Sequence, residues 1–145
     1  EIFAALYGEP AHDAGTDATG QLRRFDQDAH RPDGADAFLA DEGYLYVPKA
    51  CADGASCALH IAFHGCQQNA EAVGEAFVKD TGYNRWADAY GVVVLYPQTR
   101  ATMAPLNPKA CWDWWGYGGE RYDTRDGVQL RAVAGMAAAL GVPLH

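Results

Sequence analysis

The sequence has a single serine, Ser56, and no apolar run of the roughly 18 residues needed to cross a bilayer. Basic side chains are scarce: 11 lysines and arginines stand against 19 aspartates and glutamates, a net charge of −8. That balance disfavours nucleic acid and anionic membranes as partners. There is no C-x-x-C pair, and the histidines do not fall at metal-ligand spacing, so no metal or cofactor site is expected. No internal repeat and no secretory signal is present. The chain opens on Glu1 rather than Met, which suggests a processed or cut chain. The missing signal therefore says nothing about secretion.

What remains is enough to fold. The 145 residues fit one domain or a large part of a bigger one, and 49% hydrophobic content can bury a core. The four cysteines, Cys51, Cys57, Cys66 and Cys111, allow three pairings. Cys51 and Cys57 bracket the turn "CADGASC", which would leave Cys66 with Cys111. Closing the longer loop is worth about 4 kcal/mol and the shorter roughly 2 kcal/mol in the chain-entropy model. Reduced buried thiols and a zinc site are the other readings. Disulfides would place the protein in an oxidising setting, secreted or periplasmic.

"EIFAALYG" reads as the end of an amphipathic helix stopped by Gly8. "GQLRRFDQ" and "GYLYVP" are strand candidates, the latter ended by Pro48. "ALHIAFH" and "GVVVLYP" are the strongest strands, and the second has the continuous apolar run of a strand covered on both faces. Between them Val73, Phe77, Val78 and Trp86 suit a helix broken near Thr81-Gly82, with Asn84, Arg85 and Asp88 fixing the break. Strand, helix and strand make a βαβ unit and predict parallel pairing. Residues 97–125 form a long aromatic loop. A last helix is expected from Asp126 to Leu140, with Thr124 and Asp126 as caps, Leu130, Val133, Ala134 and Ala137 as its apolar stripe, and Gly141 and Pro143 as its stop.

The run "ALHIAFHGCQQNA" ends a strand on His64-Gly65-Cys66. In α/β-hydrolases one oxyanion donor comes from the loop after the third strand, often marked by His-Gly. Glycine lets the backbone approach a substrate closely. On this reading Cys66 supplies the N–H donor, and an ordinary strand-to-helix turn with a structural His64 is the alternative.

"GYLYVPKAC", "LHIAFHGCQQ", "TGYNRWADAYGVVVLYPQ" and "NPKACWDWWGY" closely resemble the poly(3-hydroxybutyrate) depolymerase family and the related feruloyl and acetylxylan esterases. The resemblance implies an α/β-hydrolase fold with a mostly parallel sheet flanked by helices, a Ser-His-Asp triad and ester hydrolysis. A nucleophile elbow, G-x-S-x-G on a strand-to-helix turn, is not found. Gly54-Ala55-Ser56-Cys57-Ala58 approaches it, but a strand follows where a helix belongs. His12, His30 and His145 lie in polar segments or at the end, and His60 lies within a strand, so none is placed as a catalytic base. Residues 1–145 are thus expected to form one partial domain, the oxyanion-hole half, lacking the nucleophile strand. The resemblance suggests the second half of a circularly permuted member. The triad would then lie upstream or on a companion chain, and the chain alone would be inactive. The exposed edge of "ALHIAFH" would pair with that partner.

Trp112, Trp114, Trp115 and Tyr117 cluster in the aromatic loop, with Tyr122 near. Beside a Cys66–Cys111 bridge they would flank the His64-Gly65 turn, and Trp112, Trp114 and Trp115 with His64 and Gly65 are the expected substrate-binding residues for a polyester. In an extended segment Trp112 and Trp114 face one way and Trp115 the other. Asp113 is expected as a local hydrogen-bond acceptor. The leading expectation is an esterase of polyhydroxybutyrate or its oligomers. A non-catalytic polyester- or carbohydrate-binding module and a feruloyl- or acetylxylan-type esterase fragment are the alternatives.

Overall fold

The computed structural model describes residues 2–142, so His145 and Pro143 lie outside the described residues. A four-stranded sheet in the order β1-β2-β4-β3 forms the centre, built from β1 (Gln21–Asp26), β2 (Glu42–Val47), β3 (Ala58–Ile61) and β4 (Val92–Tyr96). β3 and β4 are parallel, with Ala58 opposite Val92 and Ile61 opposite Leu95. The other two pairings, β1 with β2 and β2 with β4, are antiparallel. The expected mostly parallel sheet is therefore corrected to a mixed one. Parallel neighbours need a long crossover, and of the paired strands only β3 and β4 are consecutive strands joined by a run of α-helices.

That crossover is three short helices, α3 (Ala70–Val73), α4 (Ala76–Asp80) and α5 (Tyr83–Tyr90). Gly74 and Gly82, both at positive φ, separate them. A helix cannot run through such residues, so the break falls at Gly82 as expected and also at Gly74. The preceding α1 (Ile2–Tyr7) ends at Gly8, and α2 (Lys49–Ala52) follows β2.

Alternation along β4 defines two cores. Val92, Val94 and Tyr96 face α5 and α1 and pack with Phe3, Tyr44, Tyr46, Val78 and Ala87. Leu95 faces α6 (Val128–Ala139) and packs with Leu39, Ala132 and Met136. The buried stripe of α6 is Gln129, Ala132, Val133, Met136 and Ala137, whereas Leu130 is 44% exposed. The expected stripe is thus rotated, because Leu130 faces a cavity rather than the sheet. Gly127 stands at the N-cap of α6 and makes no side-chain cap. Asp126 instead bonds Arg121, and Thr124 bonds the Arg121 carbonyl.

Two buried polar contacts fix the helical side. Asn84 donates to the Val78 carbonyl at 2.8 Å and accepts from the Tyr96 hydroxyl at 2.7 Å, tying α4, α5 and β4 together. Asp88 acts elsewhere: it accepts from the Tyr46 hydroxyl at 2.8 Å and from the Thr19 N–H at 2.7 Å, anchoring the segment before β1. Arg85 lies over the Trp86 ring. Replacing Asn84 by Ala orphans one buried carbonyl and one buried hydroxyl. It is expected to cost about 3 kcal/mol in urea unfolding. The double variant N84A/Y96F should recover part of that loss, and a loss under about 0.5 kcal/mol in N84A would refute the assignment.

Candidate functional site

Because β3 and β4 run parallel, their C-terminal ends meet on one side of the sheet. In open α/β sheets ligands bind at that side. Residues 62–70 follow β3 there and residues 97–99 follow β4. A chain of buried polar groups joins the two. Gln98 accepts the Ala70 N–H through Oε1 at 2.7 Å, and Asn69 donates to the Thr99 carbonyl at 3.0 Å. From the far side Gln27 donates to the Gln98 carbonyl at 2.9 Å and accepts its N–H at 2.9 Å. Gln27, Asn69, Gln98 and Thr99 are all about 1% exposed or less.

His64 is buried and makes contacts on both ring nitrogens. Nδ1 donates to the Gly65 carbonyl at 2.7 Å, and Nε2 accepts the Thr99 N–H at 3.2 Å. Burial pushes its pKa down from the ordinary 6.5, partly opposed by the Gly65 contact. Gly65 to Gln68 form a turn closed by the Gln68 N–H on the Gly65 carbonyl at 3.2 Å, with Gln67 at φ 59°. The Gly65 N–H is taken by Gln68 Oε1 at 2.8 Å and the Gln67 N–H by the Lys109 carbonyl at 2.8 Å. The Cys66 N–H has no acceptor among the described residues, and Cys66 is exposed. A Cβ on Gly65 would come within 2.9 Å of Gln68 Oε1, so a side chain there would dislodge the Gln68 amide.

Both expected disulfides form: Cys51–Cys57 and Cys66–Cys111, the latter with Cα atoms 4.2 Å apart. Cys111 is itself pinned. Its N–H donates to Asn107 Oδ1 at 3.0 Å, and its carbonyl accepts from Asn107 at 2.9 Å and from the Tyr117 hydroxyl at 2.7 Å. The turn is thus fastened to the aromatic loop, where β5 (Thr102–Met103) and β6 (Leu106–Asn107) make a small hairpin.

Trp112 packs edge-on against Phe63 at 4.9 Å and lies 5.7 Å from the His64 ring. Phe63, Trp112, Tyr122, Leu130 and Val133 line a cavity of about 310 Å³. On the other flank of Phe63 lies a cleft of about 620 Å³ lined by Phe3, Phe77, Tyr83, Trp86 and Tyr90. Trp114 is 70% exposed and Trp115 42%, and their rings meet edge-on at 5.2 Å. The expected alternation of the three tryptophans fails, because the segment is not extended. Asp113 gathers the N–H groups of Trp115, Gly116 and Tyr117 on Oδ1 and that of Gly118 on Oδ2, curling the chain around its carboxylate.

Ser56 is exposed in the Cys51–Cys57 loop, before β3 begins and thus at the opposite end of the sheet from the turn. His12 is exposed, His30 packs on Phe25, and His60 lies among Phe3, Tyr7 and Tyr83. Among the described residues no group of three metal-ligating side chains is gathered, and no helix is long and apolar enough to cross a membrane.

A parallel strand-helix-strand unit whose first strand leads into a His-Gly turn, with His64 buried and Gly65 and Cys66 exposed beside an aromatic wall, belongs to the α/β-hydrolase type. The chain is a member of the Esterase PHB depolymerase family, whose model matches residues 42–142. It is 47% identical over 100 residues to a poly(3-hydroxybutyrate) depolymerase of Delftia acidovorans, covering 68% of this chain and 19% of that protein. It is 45% identical over 103 residues to a polyhydroxybutyrate depolymerase of Talaromyces funiculosus, covering 64% of this chain and 30% of that protein. The crystal structure of a PHB depolymerase from Penicillium funiculosum superposes with a TM-score of 0.79 at 34% identity, over 90% of this chain and 43% of that one. A serine-to-alanine variant of a PHB depolymerase complexed with an R3HB trimer matches with a TM-score of 0.80 at 37% identity. The chain spans less than a third of the length of the two sequence relatives and less than half of the solved chain.

Opening Cys66–Cys111 by double alanine substitution is expected to cost about 4 kcal/mol in unfolding free energy, against about 2 kcal/mol for Cys51–Cys57. An equal or reversed order in chemical denaturation would contradict the chain-entropy account. Burial also lowers the pKa of His60 and His64, so the unfolded state binds more protons. Their contribution to stability is full above the ordinary imidazole value and fades as pH falls through it. The urea midpoint should drop between about pH 7 and pH 5.5, and a flat profile would contradict the burial argument.

Proposed function

We propose that this chain forms the oxyanion-hole and substrate-binding part of a secreted serine esterase acting on poly(3-hydroxybutyrate) or its oligomers. The observation that carries the reading is the Cys66 N–H. It has no acceptor among the described residues and belongs to an exposed residue, while the Gly65, Gln67 and Gln68 N–H groups are all engaged. Family membership adds the ester chemistry, and the names of the relatives add the polyester.

The nucleophile is not among these residues: Ser56 lies at the wrong end of β3 and has no strand-to-helix elbow. On this reading a Ser-His-Asp triad comes from polypeptide outside the 145 residues, and its strand joins the open edge of β3. The serine attacks the ester carbonyl, and the carbonyl oxygen gathers negative charge. The Cys66 N–H donates to that oxygen in a site where a fixed dipole costs no reorganisation. The alcohol leaves, and water then releases the acyl group as a hydroxy acid. Phe63 and Trp112 receive the short apolar segments between ester groups, with Trp114 and Trp115 at the rim.

In the assembled esterase, replacing the Cys66 amide by an ester through semisynthesis deletes one donor and leaves every side chain in place. It is expected to lower kcat on p-nitrophenyl butyrate and hydroxybutyrate oligomers by about 100-fold. Ser56→Ala should leave turnover unchanged. Full activity of the ester variant, or an inactive Ser56→Ala, would sink the reading. Retention on polymer granules without any hydrolysis would favour a binding module, and preference for feruloyl esters a cell-wall esterase.

A further inference from the structure

The free Cys66 N–H and the Gly65 carbonyl belong to the same peptide unit. In a trans peptide these groups share one rigid plane and point in opposite directions. Whatever holds the Gly65 oxygen therefore aims the Cys66 N–H. Two donors hold it: His64 Nδ1 at 2.7 Å and the Gln68 N–H at 3.2 Å.

The state of the imidazole is fixed from both sides. A carbonyl only accepts, so Nδ1 carries the proton. A backbone N–H only donates, so Nε2, 3.2 Å from the Thr99 nitrogen, is bare. The Thr99 hydroxyl lies 3.2 Å from Nε2 but gives its proton to the Ala110 carbonyl at 2.6 Å. Thr99 in turn is locked by Asn69 on its carbonyl. The ring has little room to turn, with Trp112 at 5.7 Å and Phe77 at 6.1 Å. Ring orientation, tautomer and peptide plane are thus one connected device that runs from the end of β4 to the turn after β3.

We propose that His64, neutral and protonated on Nδ1, is a positioning residue that aims and polarises the Cys66 N–H through the Gly65 carbonyl, with Thr99 selecting its tautomer. The inference rests on the oxyanion reading above. A carbonyl that accepts two hydrogen bonds draws density from its own peptide, which strengthens the N–H on the other side as a donor. His64 touches no reacting atom and takes no proton in the reaction.

Two substitutions separate this role from simple packing. The Asn amide nitrogen reaches the place of Nδ1, whereas the Gln amide reaches the place of Nε2. In the assembled esterase His64→Gln should lower kcat by about 30-fold at unchanged KM, while His64→Asn stays within about 3-fold of the parent. Equal losses in the two variants, or an effect on KM alone, would overturn the proposal. A second measurement does not depend on turnover or on variant folding. Imidazole ¹⁵N shifts of the unsubstituted protein should show a protonated Nδ1 and a bare Nε2 at neutral pH. A protonated Nε2 would overturn the proposal even in an active enzyme. The Nδ1 tautomer in a protein that hydrolyses no ester would support the clamp and sink the oxyanion reading alone.

Discussion

The parallel pairing of β3 with β4 is the constraint from which the site follows. It brings the ends of two strands together, so that residues distant in sequence share one small region. His64 then reaches Thr99, Asn69 reaches the carbonyl of Thr99, and Gln98 reaches the N–H of Ala70. An antiparallel β3 would send its last residues to the other end of the sheet, and none of these contacts would form. The crossover that permits the pairing is itself fragile, being three short helices rather than one. Asn84 compensates by bonding α4 and β4 from the first turn of α5.

The disulfide adds a second fastening of a different kind. It fixes the position of the turn relative to the aromatic loop, while the buried polar groups fix its orientation. Asn107 and Tyr117 then hold the far end of the bridge. A carboxylate at position 113 folds the tryptophan segment into a compact curl by accepting four N–H groups. The surface that results is apolar at Phe63 and Trp112, with polar backbone immediately beside it. An ester-rich chain has the same mixture of character.

The strands and the βαβ unit were legible because long apolar runs have few alternatives. The paired cysteines were legible because a short loop around Gly54 leaves only one remaining partner for Cys66. The mixed sheet was not, since "GYLYVP" carries no signal for the direction of its neighbours. Gln98, Thr99, Asn69 and Gln27 were missed for a related reason. Each sits beside an apolar element where polar residues ordinarily meet water, and only the tertiary fold buries them. Asn69 in particular has the sequence position of a helix cap and acts instead on Thr99. Leu130 broke the expected stripe because a residue that lines a cavity follows the helical period no better than one exposed to solvent. The tryptophan alternation failed because it assumed an extended chain, and a single aspartate sufficed to bend it.

The small loop closed by Cys51 and Cys57 stands at the end of the sheet away from the turn, exposed and tied off covalently. Its geometry suits a tether. A support or label joined there would orient every copy with the aromatic wall turned outward, and the pull of the linker would be absorbed by a crosslink that the wall does not share.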